Sequence, residues 1–229
     1  MMRAAAILLA AGRGERLGGE RAKALLEVGG VSLLGRAVRT VGAVPEIEGF
    51  VVTVTRGLEG TAKTEAASSP RFLAAVEGGD SRQASVRRGL EALPDGFDAV
   101  VCHDVARPFA ASRLFTAVLG ALEGADGAVP VVPVTDTVKR VAGGLVVETV
   151  PRDDLALAQT PQAFRRDALE EAHRAAEAEG FSVTDDAALL ERAGRRVAVV
   201  PGDAGNVKVT TPEDLERAEA IARAREGAP

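Results

Sequence analysis

The fold is decided by residues 8–30, which read LLAAGRGERLGGERAKALLEVGG. The first three letters complete the apolar run Ala4–Ala10, which is typical of a strand buried on both faces of a parallel sheet. Glycines, arginines and a lysine follow at once, although a simple turn needs no positive charge. Because open parallel sheets bind ligands at the carboxyl ends of their strands, we predict that this loop binds a polyphosphate. The alternative is a glycine turn whose charges are only solvated.

Other short apolar runs repeat this strand pattern, at 50–55, 99–102, 128–132 and 197–200. Stretches with helical spacing lie between them. Ser32 and Ser81 are predicted to be N-caps, and Ser112 precedes a further such stretch. Thr211 precedes a proline and two acids, which is typical of the start of a last helix. The alternation predicts one α/β domain over residues 1–229, a Rossmann-like, doubly wound, mostly parallel sheet.

One segment, 136–152, interrupts the alternation of strands and helices. It contains two extended runs around Gly143 and Gly144, which predicts a β-hairpin. An isolated hairpin is marginally stable, so something should cover a hairpin that protrudes. The residue pattern does not decide whether a second subunit or the hairpin's own domain covers it.

Composition excludes several classes of function. The net charge is −5, aromatics are 3% of the residues, and there is no Trp or Tyr, so we expect no nucleic-acid partner. Cys102 is the single cysteine, and His103 and His173 are the two histidines, which excludes an internal disulfide and a Cys- or His-rich metal site. We expect His173, in a helical stretch of Glu, Ala and Arg, to be solvated. No apolar segment approaches the roughly 20 residues of a membrane span, so we expect no membrane contact. The charged loop that follows the first ten residues is unlike a cleavage site, which predicts a cytoplasmic protein.

The glycine loop fails the tests for two familiar phosphate-binding loops. A Walker A loop requires GK[ST], and the sequence contains none. A dinucleotide-binding loop requires G-x-G-x-x-G, but Leu17 stands where the third glycine belongs after Gly12 and Gly14. The second strand also leads into Arg56, whereas an acid would be needed to bind ribose. NAD binding is therefore the weaker hypothesis.

The loop resembles the signature loop of nucleotidyltransferases that activate sugar or polyol phosphates, and more closely that of the 2-C-methyl-D-erythritol 4-phosphate cytidylyltransferase family. Six further blocks resemble that family in the expected order, namely GGDSRQASVRRGL (78–90), CHDVARPF (102–109), VPVTDTVKR (132–140), QTPQAF (159–164), VTDDAALLERAG (183–194) and NVKVTTPEDL (206–215). In the second block Val105 replaces the alanine of the family pattern. Six blocks in order are far more specific than one.

The resemblance implies transfer of a cytidylyl group from CTP to 2-C-methyl-D-erythritol 4-phosphate in the non-mevalonate route to isoprenoids. The products are 4-CDP-2-C-methyl-D-erythritol and pyrophosphate. The attacking phosphate is already ionised, so the reaction needs no general base, and catalysis depends on positioning and on charge neutralisation. Two alternatives are a cytidylyltransferase for another polyol phosphate, such as ribitol 5-phosphate, and a noncatalytic nucleotide-binding regulator.

The resemblance also implies roles for individual residues. The implied catalytic residues are Arg16 and Lys23. The implied CTP contacts are Ala10, Ala11, Gly12, Gly14, Gly79, Asp80, Arg82, Ser85 and Asp104. The implied contacts with the polyol phosphate are Arg107, Thr137, Arg152, Thr160, Thr184 and Lys208. Asp104 is the implied ligand of Mg²⁺ or another divalent cation, and the hairpin at 136–152 is the implied arm of a homodimer.

Overall fold

The computed structural model describes residues 2–12, 14, 17 and 22–226, and it confirms the predicted α/β class. The strands are β1 (Ala4–Ala10), β2 (Glu27–Val28), β3 (Val31–Ser32), β4 (Ile47–Val54), β5 (Phe72–Glu77), β6 (Ala99–Asp104), β7 (Gly127–Pro133), β8 (Val138–Ala142), β9 (Leu145–Val150), β10 (Ala156–Ala158), β11 (Gln162–Arg165) and β12 (Val197–Pro201). The α-helices are α1 (Leu33–Gly42), α2 (Glu59–Ala66), α3 (Arg82–Ala92), α4 (Ser112–Gly120), α5 (Arg166–Glu179), α6 (Asp186–Arg192) and α7 (Pro212–Glu226). Across the described residues, no helix has the apolar length that a bilayer-crossing helix needs.

The main sheet has eight strands in the order β10-β7-β11-β6-β1-β4-β5, and β12 also pairs with β7. The pairs that join β1 to β4, β1 to β6, β4 to β5 and β7 to β12 are parallel. The strands β10 and β11 are antiparallel to their neighbours. The sheet is therefore mostly parallel, as the sequence predicts, with two short antiparallel strands inserted.

The strand order reverses direction at β1. The chain passes from β1 to β4 and β5 on one side and then returns to place β6 on the other side. The register pairs Leu9 of β1 with Asp104 of β6, so the carboxyl ends of the two strands lie side by side. Open α/β sheets bind ligands at such a reversal point, which predicts the position of the site before any side chain is considered.

The core forms two layers because the side chains of β1 alternate between the faces of the sheet. Ala6 and Leu8 pack into the cluster that contains α1, α2 and α4, whereas Ala5 and Ile7 pack into the cluster that contains α3, α5 and α6. A Cβ placed on Gly89 of α3 would lie 2.6 Å from Cγ2 of Ile7. Glycine at this position therefore lets α3 approach β1 closely, and α3 carries part of the site.

Both predicted serine caps are confirmed. The Ser32 hydroxyl accepts the Gly35 amide at 2.8 Å, and the Ser81 hydroxyl accepts the Ala84 amide at 3.0 Å. Ser112 is the first residue of α4, and Ala111 occupies the cap position with extended backbone and no side-chain cap bond.

The segment 136–152 forms the predicted hairpin, in which β8 and β9 make a separate two-stranded sheet. Its turn uses Gly143 and Gly144, both with positive φ, as a two-residue hairpin turn requires. Large apolar side chains of β9 are exposed, including Leu145 at 73% and Val146 at 62%. This arm therefore displays apolar surface that the described part of the chain leaves open to solvent.

The last helix returns the chain to the region of the glycine loop. Ala218 and Ala222 of α7 are buried in a small cluster with Val28, Leu33 and Phe109. The segment that leads into α7 runs beside β6, which brings residues 208 and 210 to the carboxyl edge of the sheet. Segments far apart in the sequence, the loop after β1 and residues 208–210, therefore meet at the reversal point of the sheet.

Candidate active site

A cleft of about 620 Å³ opens at this reversal point, between the loop after β1 and the start of α3. The residues that the sequence assigned to the site and that line the cleft are Ala10, Ala11, Gly12, Gly14, Lys23, Gly79, Asp80, Arg82, Ser85, Asp104 and Lys208. The structure therefore brings together blocks that are far apart in the sequence. Arg16 lies outside the described residues, so its catalytic role stays a prediction.

Glycines allow the walls of the cleft to approach one another. A Cβ on Gly78 would lie only 2.3 Å from Cβ of Ala11, so the loop before α3 can touch the loop after β1 only without a side chain there. Gly14 has φ of +68°, and a Cβ on it would lie 3.0 Å from Cβ of Lys23. Gly14 therefore lies against the start of the turn that carries Lys23.

The start of α3 forms the second wall. Ser85 is buried, and its hydroxyl accepts the Gly79 amide at 3.1 Å and donates to the Ser81 carbonyl at 2.9 Å. These bonds fix the glycine-containing loop against the first turn of the helix. A helix N-terminus presents unpaired amides and a partial positive charge, which suit an anionic or strongly polar ligand.

Four side chains of alternating charge run from the protein interior to the cleft. Arg82 Nε donates to Asp104 Oδ1 at 3.2 Å, and Lys208 Nζ donates to Asp104 Oδ2 at 2.7 Å. Arg82 Nη1 donates to Oδ2 of Asp186 at 2.6 Å. The order is thus carboxylate, guanidinium, carboxylate and ammonium, and the two cations border the cleft.

In this row, burial and the neighbouring charges shift the pKa of each group in opposite directions. Burial alone would raise the pKa of Asp104, but Arg82 and Lys208 hold that pKa well below its usual range. Burial likewise opposes ionisation of Asp186, and Arg82 again lowers the carboxyl pKa. Burial would lower the pKa of the Arg82 guanidinium, but Asp186 and Asp104 raise it above its usual value. All three groups therefore stay charged at neutral pH.

Thr160 and His103 form a hydrogen-bonded pair on the buried side of Asp104. The Asp104 amide donates to Thr160 Oγ1 at 3.1 Å, and the same hydroxyl lies 3.1 Å from Nδ1 of His103. Burial lowers the pKa of His103 to about 4, so the ring is neutral, and it shares a hydrogen bond with the Thr160 hydroxyl. Thr160 is 4% exposed, and its bond to the Asp104 amide fixes the backbone of that residue. His103 is accordingly poorly placed to act as a general base.

The remaining predicted contacts lie outside the lining of this cleft, as far as the described residues define it. Arg107 Nη1 donates to the Asn206 carbonyl at 2.8 Å. Thr137 and Arg152 are exposed at the base of the arm, where Arg152 contacts the Thr135 carbonyl. Thr184 is exposed before α6. The substrate roles of Arg107, Thr137, Arg152 and Thr184 therefore stay predictions.

Sequence reasoning missed Asp186 and took His173 for a solvated residue, which is wrong. His173 is 3% exposed and Asp186 is fully buried. A usable signal existed for the histidine, because Ala172, Leu169 and Ala176 share one helical face with it. Asp186 gave no such signal, since an acid in the first turn of a helix is normally explained by the helix dipole.

The fit of a divalent cation depends mainly on Asp104. Within the described ranges, no group of three or more His, Cys, Asp or Glu side chains could hold a metal ion. Asp104 and Asp80 line the cleft, and each Asp104 oxygen keeps a second lone pair beside its cationic partner. Mg²⁺ commonly takes one or two carboxylates together with phosphate oxygens and waters. The site therefore fits an ion carried by a polyphosphate, with Asp104 as its protein ligand.

Comparison with known proteins identifies the family. A family model described as 2-C-methyl-D-erythritol 4-phosphate cytidylyltransferase matches residues 4–224. The bifunctional enzyme IspD/IspF of Rhodospirillum rubrum is 45% identical over 227 residues, which cover 97% of this chain and 58% of that protein. The 2-C-methyl-D-erythritol 4-phosphate cytidylyltransferase of Pelotomaculum thermopropionicum is 42% identical over 232 residues, which cover 99% of this chain and 97% of that protein. The chain thus spans little more than half of the bifunctional relative and nearly all of the second.

A solved structure agrees with these relatives. The crystal structure of 4-diphosphocytidyl-2C-methyl-D-erythritol synthase from Anaerococcus prevotii has a TM-score of 0.86 and 32% sequence identity to this chain. The alignment covers 97% of this chain and 99% of that one, so the likeness extends over nearly the whole of both chains. With one family model matching nearly all of the sequence, the chain belongs to the 2-C-methyl-D-erythritol 4-phosphate cytidylyltransferase family.

Proposed function

We propose that this protein transfers the cytidylyl group of CTP to 2-C-methyl-D-erythritol 4-phosphate and releases pyrophosphate. The observation that carries the proposal is the family match over residues 4–224, whose separated blocks converge on one cleft. Membership of the family makes the chain a cytidylyltransferase, an enzyme that supplies an intermediate of isoprenoid biosynthesis. We place it in the cytoplasm, where CTP is available.

The reaction joins two anions. An ionised oxygen of the polyol phosphate attacks the α-phosphorus of CTP, and the bond from that phosphorus to the oxygen bridging it to the β-phosphate breaks. Pyrophosphate leaves with the electron pair of that bond. No proton has to be removed from the attacking oxygen, which agrees with a site whose buried histidine, His103, is neutral and turned to Thr160. The protein has to align the groups and offset their charge.

Lys23, Arg82 and Lys208 supply positive charge to the cleft. We assign Lys23 to the α-phosphate, where negative charge accumulates during attack. Backbone amides near Gly12 and Gly14 bind the β- and γ-phosphates, because glycine lets phosphate oxygens come close to the chain. Arg16 shares the charge neutralisation in this proposal through its place in the family loop.

The base and ribose lie against the wall formed by α3. Ala10 and Ala11 offer backbone groups at the end of β1, and Gly79, Asp80 and Ser85 belong to the loop and first turn opposite. Backbone donors and acceptors in fixed positions can distinguish the edge of cytosine from that of other bases, since a mismatch leaves a buried polar group unpaired.

Magnesium, when bound, draws the phosphate oxygens of CTP together and withdraws charge from them. Asp104 is the residue that would hold it, and Arg82 and Lys208 keep that carboxylate ionised and oriented. Thr160 and His103 fix the backbone of Asp104 from the buried side.

The exposed arm supports a homodimer in this proposal. Its apolar side chains need a cover, and Thr137 and Arg152 at its base lie outside the cleft of their own chain. An arm that reaches a partner subunit would account for both observations, because it would bury the apolar surface and carry the two residues to the partner's cleft. The pocket for the polyol phosphate is then completed across the dimer.

Removing the arm should give monomers with little activity. The change replaces residues 138–150 by a short Gly-Ser linker, which leaves the separate main sheet intact. Light scattering checks the mass, and pyrophosphate release checks the turnover. A variant that stays dimeric would contradict the arm as the dimer contact, and a fully active monomer would contradict a shared site.

Arg152→Ala should raise KM for the polyol phosphate about 10- to 100-fold, since charge-assisted bonds to phosphate contribute about 1.5–3 kcal/mol. KM for CTP should change little. Arg140→Ala is the matched control, because Arg140 is an exposed arginine of the same arm that pairs with Glu148. A selective rise in KM for CTP would show that Arg152 serves the nucleotide.

A substrate panel tests the proposed function directly. Purified protein is given CTP and Mg²⁺ with either 2-C-methyl-D-erythritol 4-phosphate or ribitol 5-phosphate, and released pyrophosphate is measured. We expect turnover with the first compound. A strong preference for ribitol 5-phosphate would favour the other cytidylyltransferase, and CTP binding without turnover of any phosphate would favour a noncatalytic regulator.

A further inference from the structure

Two buried residues outside the cleft, Asp186 and His173, contact the arginine that lines it. We propose that Asp186, supported by His173, is a positioning residue that prevents Arg82 from taking Asp104 away from Lys208. The inference rests on the proposed function, because it concerns the geometry of the same reaction. Neither Asp186 nor His173 is among the residues that line the cleft in the described structure, so both act through Arg82.

The first step is the placement of Asp186. Asp185 is the N-cap of α6, where its Oδ1 accepts the Ala188 amide at 3.2 Å. Asp186 therefore does not cap the helix, and its side chain turns inward. Its exposed fraction is 0%, and its Oδ2 lies 2.6 Å from Arg82 Nη1. A carboxylate this deeply buried needs a charged partner, and Arg82 supplies it.

The second step concerns the other oxygen of Asp186. Oδ1 lies 3.5 Å from Nε2 of His173, and neither atom has a hydrogen-bond partner in the described structure. His173 belongs to the buried face of α5, which packs against α6. The imidazole thus closes one buried side of the carboxylate, which the buried Cys102 thiol also approaches, so Asp186 cannot turn toward solvent.

The third step is what this does to Arg82. Its guanidinium contacts two carboxylates through different nitrogens, Nε to Asp104 and Nη1 to Asp186. Arginine prefers to bind one carboxylate through two parallel bonds. Asp186 binds Nη1 and so fixes the orientation of the guanidinium, in which Nε reaches Oδ1 of Asp104 and Nη2 has no hydrogen-bond partner among the described residues. The second oxygen stays with Lys208, on the side where the cleft opens.

Loss of the Asp186 charge should therefore change the contacts of the Asp104 carboxylate. Once freed, Arg82 can rotate and bind both oxygens of Asp104 through Nη1 and Nη2, which leaves its Nε–H without a partner, displaces Lys208 and masks the carboxylate from a phosphate-bound cation. We expect Asp186→Asn to lower kcat/KM about 10- to 100-fold, the range for losing a hydrogen bond between charged groups. The amide has the same shape as the carboxylate, so the packing of α6 is retained.

The test is a double-mutant cycle between Asp186→Asn and Arg82→Gln, with kcat/KM measured from pyrophosphate release. If Asp186 acts through Arg82, adding Asp186→Asn to Arg82→Gln should change kcat/KM by no more than about twofold. Asp185→Asn is the matched control, since it removes a charge one residue away and asparagine is also a good N-cap. It should keep wild-type activity.

A spectroscopic readout separates positioning from damage to the fold. In ¹⁵N-labelled full-length protein, the Arg82 side-chain Nε–H should give a slowly exchanging signal, assigned by its absence in Arg82→Gln. The signal should exchange faster in Asp186→Asn while thermal melting stays cooperative. His173→Phe should also speed the exchange of this signal. His173→Gln keeps a side-chain donor, so its exchange should be as slow as in the wild type.

Two results would overturn the proposal. One is an equal fall in kcat/KM on adding Asp186→Asn to the wild type and to Arg82→Gln. The other is unchanged exchange of the Arg82 signal in Asp186→Asn. If the wild-type protein releases no pyrophosphate with any polyol phosphate, the proposed function fails, but the exchange experiment still decides whether Asp186 restrains Arg82.

Discussion

Replacing Lys23 by alanine should lower kcat about 100- to 1,000-fold, the usual cost of removing one group that stabilises charge in a transition state. Lys23 lines the cleft at the start of the short turn Lys23–Leu25. In the proposed reaction its ammonium offsets charge on the α-phosphate, and this charge is largest when both the attacking and the leaving oxygens are partly bonded. The loss should therefore appear in kcat more than in the KM for CTP.

The fold should tolerate this change, because alanine keeps the Cβ against which Gly14 packs. Lys63→Ala is the control, since Lys63 is an exposed lysine on α2, remote from the cleft. Initial rates of pyrophosphate release give kcat, and thermal melting checks the fold. A Lys23→Ala enzyme within a few-fold of the wild-type kcat would remove this residue from the catalytic machinery.

Asp104→Asn should also lower kcat/KM by roughly 100-fold or more, a size typical of losing an electrostatic group in the site. The amide cannot offset both Arg82 and Lys208, and it is a poor ligand for Mg²⁺. The Mg²⁺ concentration that gives half-maximal rate should rise as well. Titration of the rate with Mg²⁺ at fixed CTP measures both effects.

Asp95→Asn is the matched control, because Asp95 is an exposed carboxylate far from the cleft. The pH dependence gives a second check on Asp104. Its pKa lies well below the usual range, so it stays ionised as pH falls through that range, and wild-type activity should not follow the titration of an ordinary carboxyl. An Asp104→Asn enzyme with the wild-type Mg²⁺ requirement would contradict its assignment as the metal ligand.

The central part of the fold could be predicted from the sequence. The run Ala4–Ala10 is a strand with the predicted bounds, because its apolar stretch ends at a glycine loop that cannot continue it. The short strands β10 and β11 are not predicted by the apolar pattern of the sequence. They have three and four residues, and Gln162 and Arg165 interrupt the apolar pattern of β11. Such strands form because the neighbouring edges of β6 and β7 are available, which is a tertiary effect.

The site was partly predictable for a related reason. Contacts made by loops at the ends of strands follow from motifs and topology, and the cleft contains most of those residues. The pairing of Arg82 with Asp186 joins residues 104 positions apart, and no local pattern reports it. Thr160 was predicted to face the substrate, but its burial behind Asp104 depends on how β11 packs beside β6.

Segments that are far apart in the sequence meet at one edge of the sheet, and this has a consequence for biosynthesis. Lys23 emerges from the ribosome well before Lys208 and Thr210. At ~5–20 residues per second, the interval between them is on the order of ten seconds or more. During that interval Asp104 of β6 lacks its lysine partner, so the cleft of the nascent chain is unfinished. The cleft is therefore complete only after Lys208 and Thr210 have been synthesised.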